Sequence, residues 1–123
     1  MFSLILYEPE IPPNTGNIIR LCANTGAQLH LIEPMAFTLD DKKLRRAGLD
    51  YHEFANVQVH PGIEHFFEWC GARPVYACTT KAQQHHHQPV YQDESVLLFG
   101  PESRGLPEAL LARFAPEHKI RIP

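Results

Sequence analysis

Apolar residues recur along the chain in short runs. Phe2 to Tyr7, Gln28 to Ile32, Val57 to His60, Val75 to Thr79, Val96 to Phe99 and Lys119 to Ile122 have the length and side-chain character of strands. The intervening segments predict helices over about Thr15 to Thr25, Asp41 to Ala47, Ile63 to Cys70 and Pro107 to Phe114. The last opens with proline, whose missing N–H is harmless in a first helical turn. Strands spaced by helices in this way predict βαβ units, and so an α/β fold with a mainly parallel sheet flanked by helices on both faces. With 123 residues the chain is long enough for one such domain, residues 1–123, and no repeat or low-complexity linker marks a boundary.

Composition sharpens this picture in three places. Hydrophobic residues at 44% and charged residues at 20% suit a folded core and exclude a disordered chain. The net charge of −3 speaks against a nonspecific polyanion binder, so any RNA partner must be met by a local basic patch. Cys22, Cys70 and Cys78 are odd in number and form no Cys-x-x-Cys pair, so they read as free thiols of a reducing cytoplasm and not as zinc ligands. Met1 leads straight into Phe2-Ser3-Leu4-Ile5-Leu6-Tyr7 without a basic n-region, and no apolar stretch approaches 20 residues, so neither export nor a membrane span is expected. His85-His86-His87 cannot all point one way and have no Cys, Asp or Glu close by, so a solvated loop is expected there and no metal site.

Three stretches carry candidate chemistry. Glu8-Pro9-Glu10-Ile11-Pro12-Pro13-Asn14-Thr15-Gly16-Asn17-Ile18-Ile19-Arg20 lies where the first strand hands over to the first helix, and open α/β sheets bind ligands at such strand ends. Asn14 is placed to cap that helix, and Ile18, Leu21 and Cys22 are expected to share its core face. Asn14, Asn17, Arg20 and Asn24 recur at spacings of 3, 3 and 4, forming a polar stripe with one fixed positive charge. A solvated helix face would have the same spacing, but asparagine is a poor helix former, and three in one stripe suggest partners for their amides.

The second stretch, Leu97-Leu98-Phe99-Gly100-Pro101-Glu102-Ser103-Arg104-Gly105-Leu106-Pro107, is a buried strand emptying into a loop with glycines on both sides of an acid. Glycines let backbone approach a ligand closely. An ordinary turn, with Glu102 paired to Arg104 or a backbone amide, has the same sequence. No Gly-x-Gly-x-x-Gly run follows the first strand, which disfavours a dinucleotide oxidoreductase. The third stretch, from Asp40 to Phe54, sets Lys42, Lys43, Arg45 and Arg46 within five positions. It is the local patch that the net charge demands, although a solvent-facing helix with Asp41 and Arg45 paired would look the same.

Taken together, Asn14-Thr15-Gly16-Asn17-Ile18-Ile19-Arg20, Arg45-Arg46-Ala47-Gly48-Leu49-Asp50-Tyr51-His52, Phe99-Gly100-Pro101-Glu102-Ser103-Arg104-Gly105-Leu106 and Lys119-Ile120-Arg121-Ile122-Pro123 resemble the SPOUT-class tRNA (cytidine/uridine-34) 2′-O-methyltransferase family, from Leu4 to the last residue. The resemblance implies a parallel-sheet fold ending in a trefoil knot, a homodimer, and S-adenosylmethionine as methyl donor to the wobble ribose of the tRNA anticodon stem-loop. It further implies donor contacts at Cys78, Thr79, Gly100 and Ile122, and RNA contacts at Lys42, Lys43, Arg45 and Arg46. Arg20 is implied to lie near the reacting ribose, where a cation stabilises a developing oxyanion; Asn14 and Glu102 would shape the site. No metal is implied. His52 is a further candidate participant, with a structural role the stronger expectation.

Family members continue past the Ile-Arg-Ile-Pro strand into a turn and a last helix, and this chain stops at Pro123. The expectation is therefore a chain lacking the knotting segment, with weak or absent methyl transfer on its own. Two other readings stand beside the enzyme: a catalytically silent RNA- or nucleotide-binding module, and a small-molecule α/β enzyme using Glu102 as acid or base.

Overall fold

The computed structural model describes residues 2–37, 53, 57–80, 82, 84, 85, 91 and 94–121. Within them the strands are β1 (Ser3–Tyr7), β2 (Gln28–Ile32), β3 (Val57–His60), β4 (Val75–Cys78), β5 (Val96–Phe99) and β6 (Lys119–Ile120). The helices are α1 (Pro12–Thr25), α2 (Ile63–Cys70) and α3 (Glu108–Leu111), with a 3₁₀ turn at Pro116–His118. All six strands join one sheet in the order β3-β2-β1-β5-β4-β6, and every pairing is parallel. The predicted strands are therefore all present, and the helix predicted over Asp41 to Ala47 lies outside the described residues.

Alternation along the strands divides the core in two. On one face Leu6, Leu29 and Leu31 pack with Ile19 and Cys22 of α1. On the other, Ile5, Ile32, Val96 and Leu98 pack with Phe66 and Cys70 of α2 and with Leu106, Leu110 and Leu111 around α3. A period of two along the strand sends successive side chains to opposite faces, so a sheet covered twice reads as continuous apolar runs.

Three local expectations need correction. Helix α1 starts at Pro12, because Pro12 and Pro13 suit the first helical positions, where no N–H is needed. The carbonyl of Ile11 accepts the Asn14 and Thr15 N–H groups at 3.1 and 3.2 Å, and no side chain caps the helix, so Asn14 is not the cap. The core face of α1 is Thr15, Gly16, Ile19 and Cys22; Leu21 is 54% exposed and Ile18 only half-buried. The last predicted helix is shorter than Pro107 to Phe114. After the Ala112 N–H to Glu108 bond, the Arg113 and Phe114 N–H groups reach back three residues to Leu110 and Leu111. The chain tightens there because Pro116 has no N–H and disfavours helical backbone before it.

Candidate functional site

Strands β1 and β5 are neighbours, yet the chain leaves them in opposite directions: from β1 through α1 to β2, and from β5 through α3 to β6. In an open parallel sheet this reversal opens a crevice beyond the carboxyl ends of the two strands. The segments bordering it are Glu8 to Ile11 after β1 and Gly100 to Pro107 after β5, two of the three stretches singled out in the sequence.

A groove of about 470 Å³ runs along this border, lined by Leu4, Leu6, Asn14, Asn17, Ile18, Leu21, Phe99, Gly100 and Glu102. Its floor is apolar sheet and helix; its polar groups are two asparagines and one carboxylate. The structure thus brings together Asn14, Gly100 and Glu102, which lie far apart in sequence. Since Asn14 does not cap α1, its amide is left to line the groove.

Arg20 does not line the groove. One turn beyond Asn17, its Nε donates to Glu53 Oε2 at 3.2 Å, and the Glu53 side chain is only 19% exposed. The polar stripe of α1 therefore divides: Asn14 and Asn17 face the groove, Arg20 is held by an acid from the third stretch, and Asn24 is exposed. Glu53 was not legible as a functional residue, because its only sequence signal was proximity to the basic patch.

The loop after β5 folds tightly on itself. Gly105 has φ +68°, and a Cβ on Gly100 would lie 2.3 Å from the Leu106 nitrogen and 2.4 Å from the Gly105 carbonyl carbon. The Arg104 and Gly105 N–H groups both donate to the Pro101 carbonyl. Glu102 takes a backbone amide, as one reading of the turn required, but the amide is that of Glu10 across the crevice, at 2.8 Å. Arg104 is not its partner and pairs instead with Glu8 at 2.9 Å.

Cys78 ends β4, paired with Ile120 of β6, and Thr79 follows it. The Thr79 N–H donates to the Ile120 carbonyl at 2.9 Å. A smaller hollow of about 250 Å³ there is lined by Thr79, Glu108, Leu111, Ala112 and Lys119. Burial pushes the Cys78 thiol up to about 12, so it stays neutral and is no nucleophile. The ends of β4, β5 and β6 thus bring Thr79, Gly100 and Ile120 to one edge of the sheet. Ile122, Lys42, Lys43, Arg45, Arg46 and His52 lie outside the described residues, as do His86 and His87; His85 is exposed.

A parallel α/β sheet with a ligand-sized groove at a topological switch point, walled by a glycine loop and an asparagine-bearing helix, defines a ligand-binding protein of the open-sheet class. The SpoU rRNA Methylase family matches residues 1–123, and the chain belongs to it. Over the whole chain and 78% of the relative's length it is 58% identical to the tRNA (cytidine(34)-2'-O)-methyltransferase of Escherichia coli (strain K12). It is 55% identical to the enzyme of the same name from Methylovorus glucosotrophus, over the whole chain and 80% of that protein. A solved structure concerned with 2-OH methylation of C/U34 on tRNA superposes with a TM-score of 0.91 at 42% identity, covering all of this chain and 80% of the other. An AdoMet-bound rRNA methyltransferase from Sinorhizobium meliloti gives 0.81 at 28% identity, covering 99% of this chain and 47% of that one. Among the described residues no helix is long and apolar enough to cross a membrane.

Proposed function

We propose that this protein is an S-adenosylmethionine-dependent methyltransferase acting on the 2′-hydroxyl of nucleotide 34, C or U, in the tRNA anticodon loop. The observation carrying this reading is the 58% identity to a tRNA (cytidine(34)-2'-O)-methyltransferase over all 123 residues.

The strand ends suit the donor. Thr79, Gly100 and Ile120 present backbone along one edge, and the adjoining hollow combines apolar Leu111 and Ala112 with the Glu108 carboxylate. Cys78, Thr79, Gly100 and Ile122 would hold the donor, which supplies an electrophilic methyl on a sulfonium when bound. The rest of the catalysis falls to the chain's own side chains. Asn14 and Asn17 offer amide donors and acceptors to a ribose and phosphate in the groove. Arg20, held by Glu53 one turn beyond the groove-lining Asn17, would supply fixed positive charge to a ribose seated at that end of the helix stripe as its hydroxyl loses its proton. Glu102 shapes the groove wall. Holding the two reactants in line accounts for a large part of the rate, since positioning alone can be worth on the order of 7 kcal/mol or more.

Lys42, Lys43, Arg45 and Arg46 would contact RNA phosphates, the local patch that a chain of net charge −3 needs. Ile11 and Leu21, both exposed at α1, support homodimeric assembly through that helix. A tRNA substrate supports a cytoplasmic location, and membership of the family supports a trefoil knot in the form extended to the length of its relatives.

The test is incubation of tRNA transcripts with labelled S-adenosylmethionine and mapping of the modified nucleotide, using this chain and a form extended to the length of its relatives. Label at ribose 34 in either form supports the reading. Label elsewhere assigns another RNA target, and donor binding without label in both forms favours a silent binding module.

A further inference from the structure

The two segments bordering the crevice are laced together in both directions. The Glu10 carboxylate accepts the Ser103 N–H at 3.0 Å and the Ser103 hydroxyl at 2.7 Å. In return the Glu10 N–H donates to Glu102 Oε2 at 2.8 Å. Arg104 Nη2 donates to Glu8 Oε1 at 2.9 Å, and the Glu8 carboxylate is largely covered. These contacts join residues 92 to 96 positions apart. Glu8 adopts φ +47°, a conformation that side chains other than glycine take only when their surroundings hold them there.

The internal hydrogen bonds of the Gly100 to Leu106 loop fix its shape and leave open where it sits relative to α1. That placement decides the distance between Asn14 and Asn17 on one groove wall and Gly100 and Glu102 on the other. We infer that Glu8, Glu10, Ser103 and Arg104 form a clasp whose role is to position the glycine loop against the β1–α1 turn, setting the width of the methyl-transfer groove. Their contacts run to the loop and the turn, which makes them positioning residues acting on the groove through the loop. This assignment rests on the reading above for its reaction, and the clasp itself rests on the contacts.

The test uses amide hydrogen exchange together with kinetics. Glu10→Ala, Glu8→Arg and Arg104→Glu should each speed exchange at residues 103–105 by about two- to fivefold, the scale of solvent-exposed charged contacts. Donor KM should rise by a similar factor, with the urea midpoint little changed. Combining Glu8→Arg with Arg104→Glu restores the pair with reversed charges and should recover most of the KM and the protection. Glu10→Gln, which keeps one acceptor, should fall between wild type and Glu10→Ala. Unchanged exchange and KM in the single variants, or a double variant no better than its parents, would overturn the clasp. If neither the unaltered protein nor its extended form methylates tRNA, the function reading fails, and exchange with donor-binding calorimetry still decides whether the clasp sets the loop.

Discussion

His30 Nδ1 and His60 Nε2 lie 2.8 Å apart inside the protein, and His60 Nδ1 lies 2.8 Å from His65 Nδ1. The first two rings are buried and the third sits on the exposed side of α2. Each contact needs one protonated and one bare nitrogen, so the row is satisfied with all three rings neutral and is broken once two neighbouring rings are both protonated. Trp69 covers His30 at 4.1 Å between ring centroids, and Arg73 lies over Trp69.

This row predicts an acid limit on stability. Burial, aided by His60 and Arg73, lowers His30 to about 4; burial, aided by His65, lowers His60. The unfolded chain takes up protons near pH 6.5, where the native protein does not. Stability is therefore complete above about pH 6.5 and declines as the pH falls toward 4, with the His30 contribution on the order of 3 kcal/mol. Urea midpoints measured from pH 7.5 to 4.5 should fall steeply for the wild type and less steeply for His30→Phe. Parallel curves would show that the row does not govern the acid limit.

Gly100 admits no side chain. A methyl group there meets main-chain atoms of Gly105 and Leu106, which cannot yield as a flexible side chain would. Gly100→Ala should cost about 1 to 3 kcal/mol and displace the loop, with donor affinity falling further than the loss of stability explains. Gly62→Ala, where nothing lies within 4 Å, is the control and should be near neutral in thermal denaturation and in donor calorimetry.

The three cysteines should be inert in the native protein. Burial raises Cys22 and Cys70 and takes Cys78 to about 12, which leaves almost no thiolate at neutral pH. A thiol reagent at pH 7.5 should label slowly at the rate of unfolding, and in denaturant it should titrate three thiols at once. Fast native labelling at Cys78 would contradict the burial of that strand end.

Arg20 and Glu53 should separate charge from orientation. Removing the cation with Arg20→Ala should lower kcat by about a hundredfold or more while donor affinity holds, as expected when the charge acts on the transition state. Glu53→Gln keeps an acceptor for the guanidinium and should cost far less. Arg20→Lys keeps the charge but loses the planar fork, and single-turnover rates should place it between the two.

The strand runs, the α/β class and the chemistry-bearing stretches were legible in the sequence because they depend on local order: a period of two, a helix face, prolines and glycines at turns. The same locality explains the misreadings at Asn14 and Leu21. Spacing fixes which residues share a face of α1, but Leu29 and Leu31 on β2 decide which face is buried.

Amino-acid order by itself determined a parallel α/β domain, the three candidate stretches and the shortage of positive charge outside one patch. Only the tertiary structure decided that Asn14, Gly100 and Glu102 share a groove, that Glu53 holds Arg20, and that Glu8 and Glu10 clasp Ser103 and Arg104. The pairing of His30 with His60 was decided in the same way. Each of these contacts joins residues at least 30 positions apart, brought within reach by parallel crossover connections. A periodic pattern records which way a side chain points along its own element, and strand order across the sheet determines what it meets there.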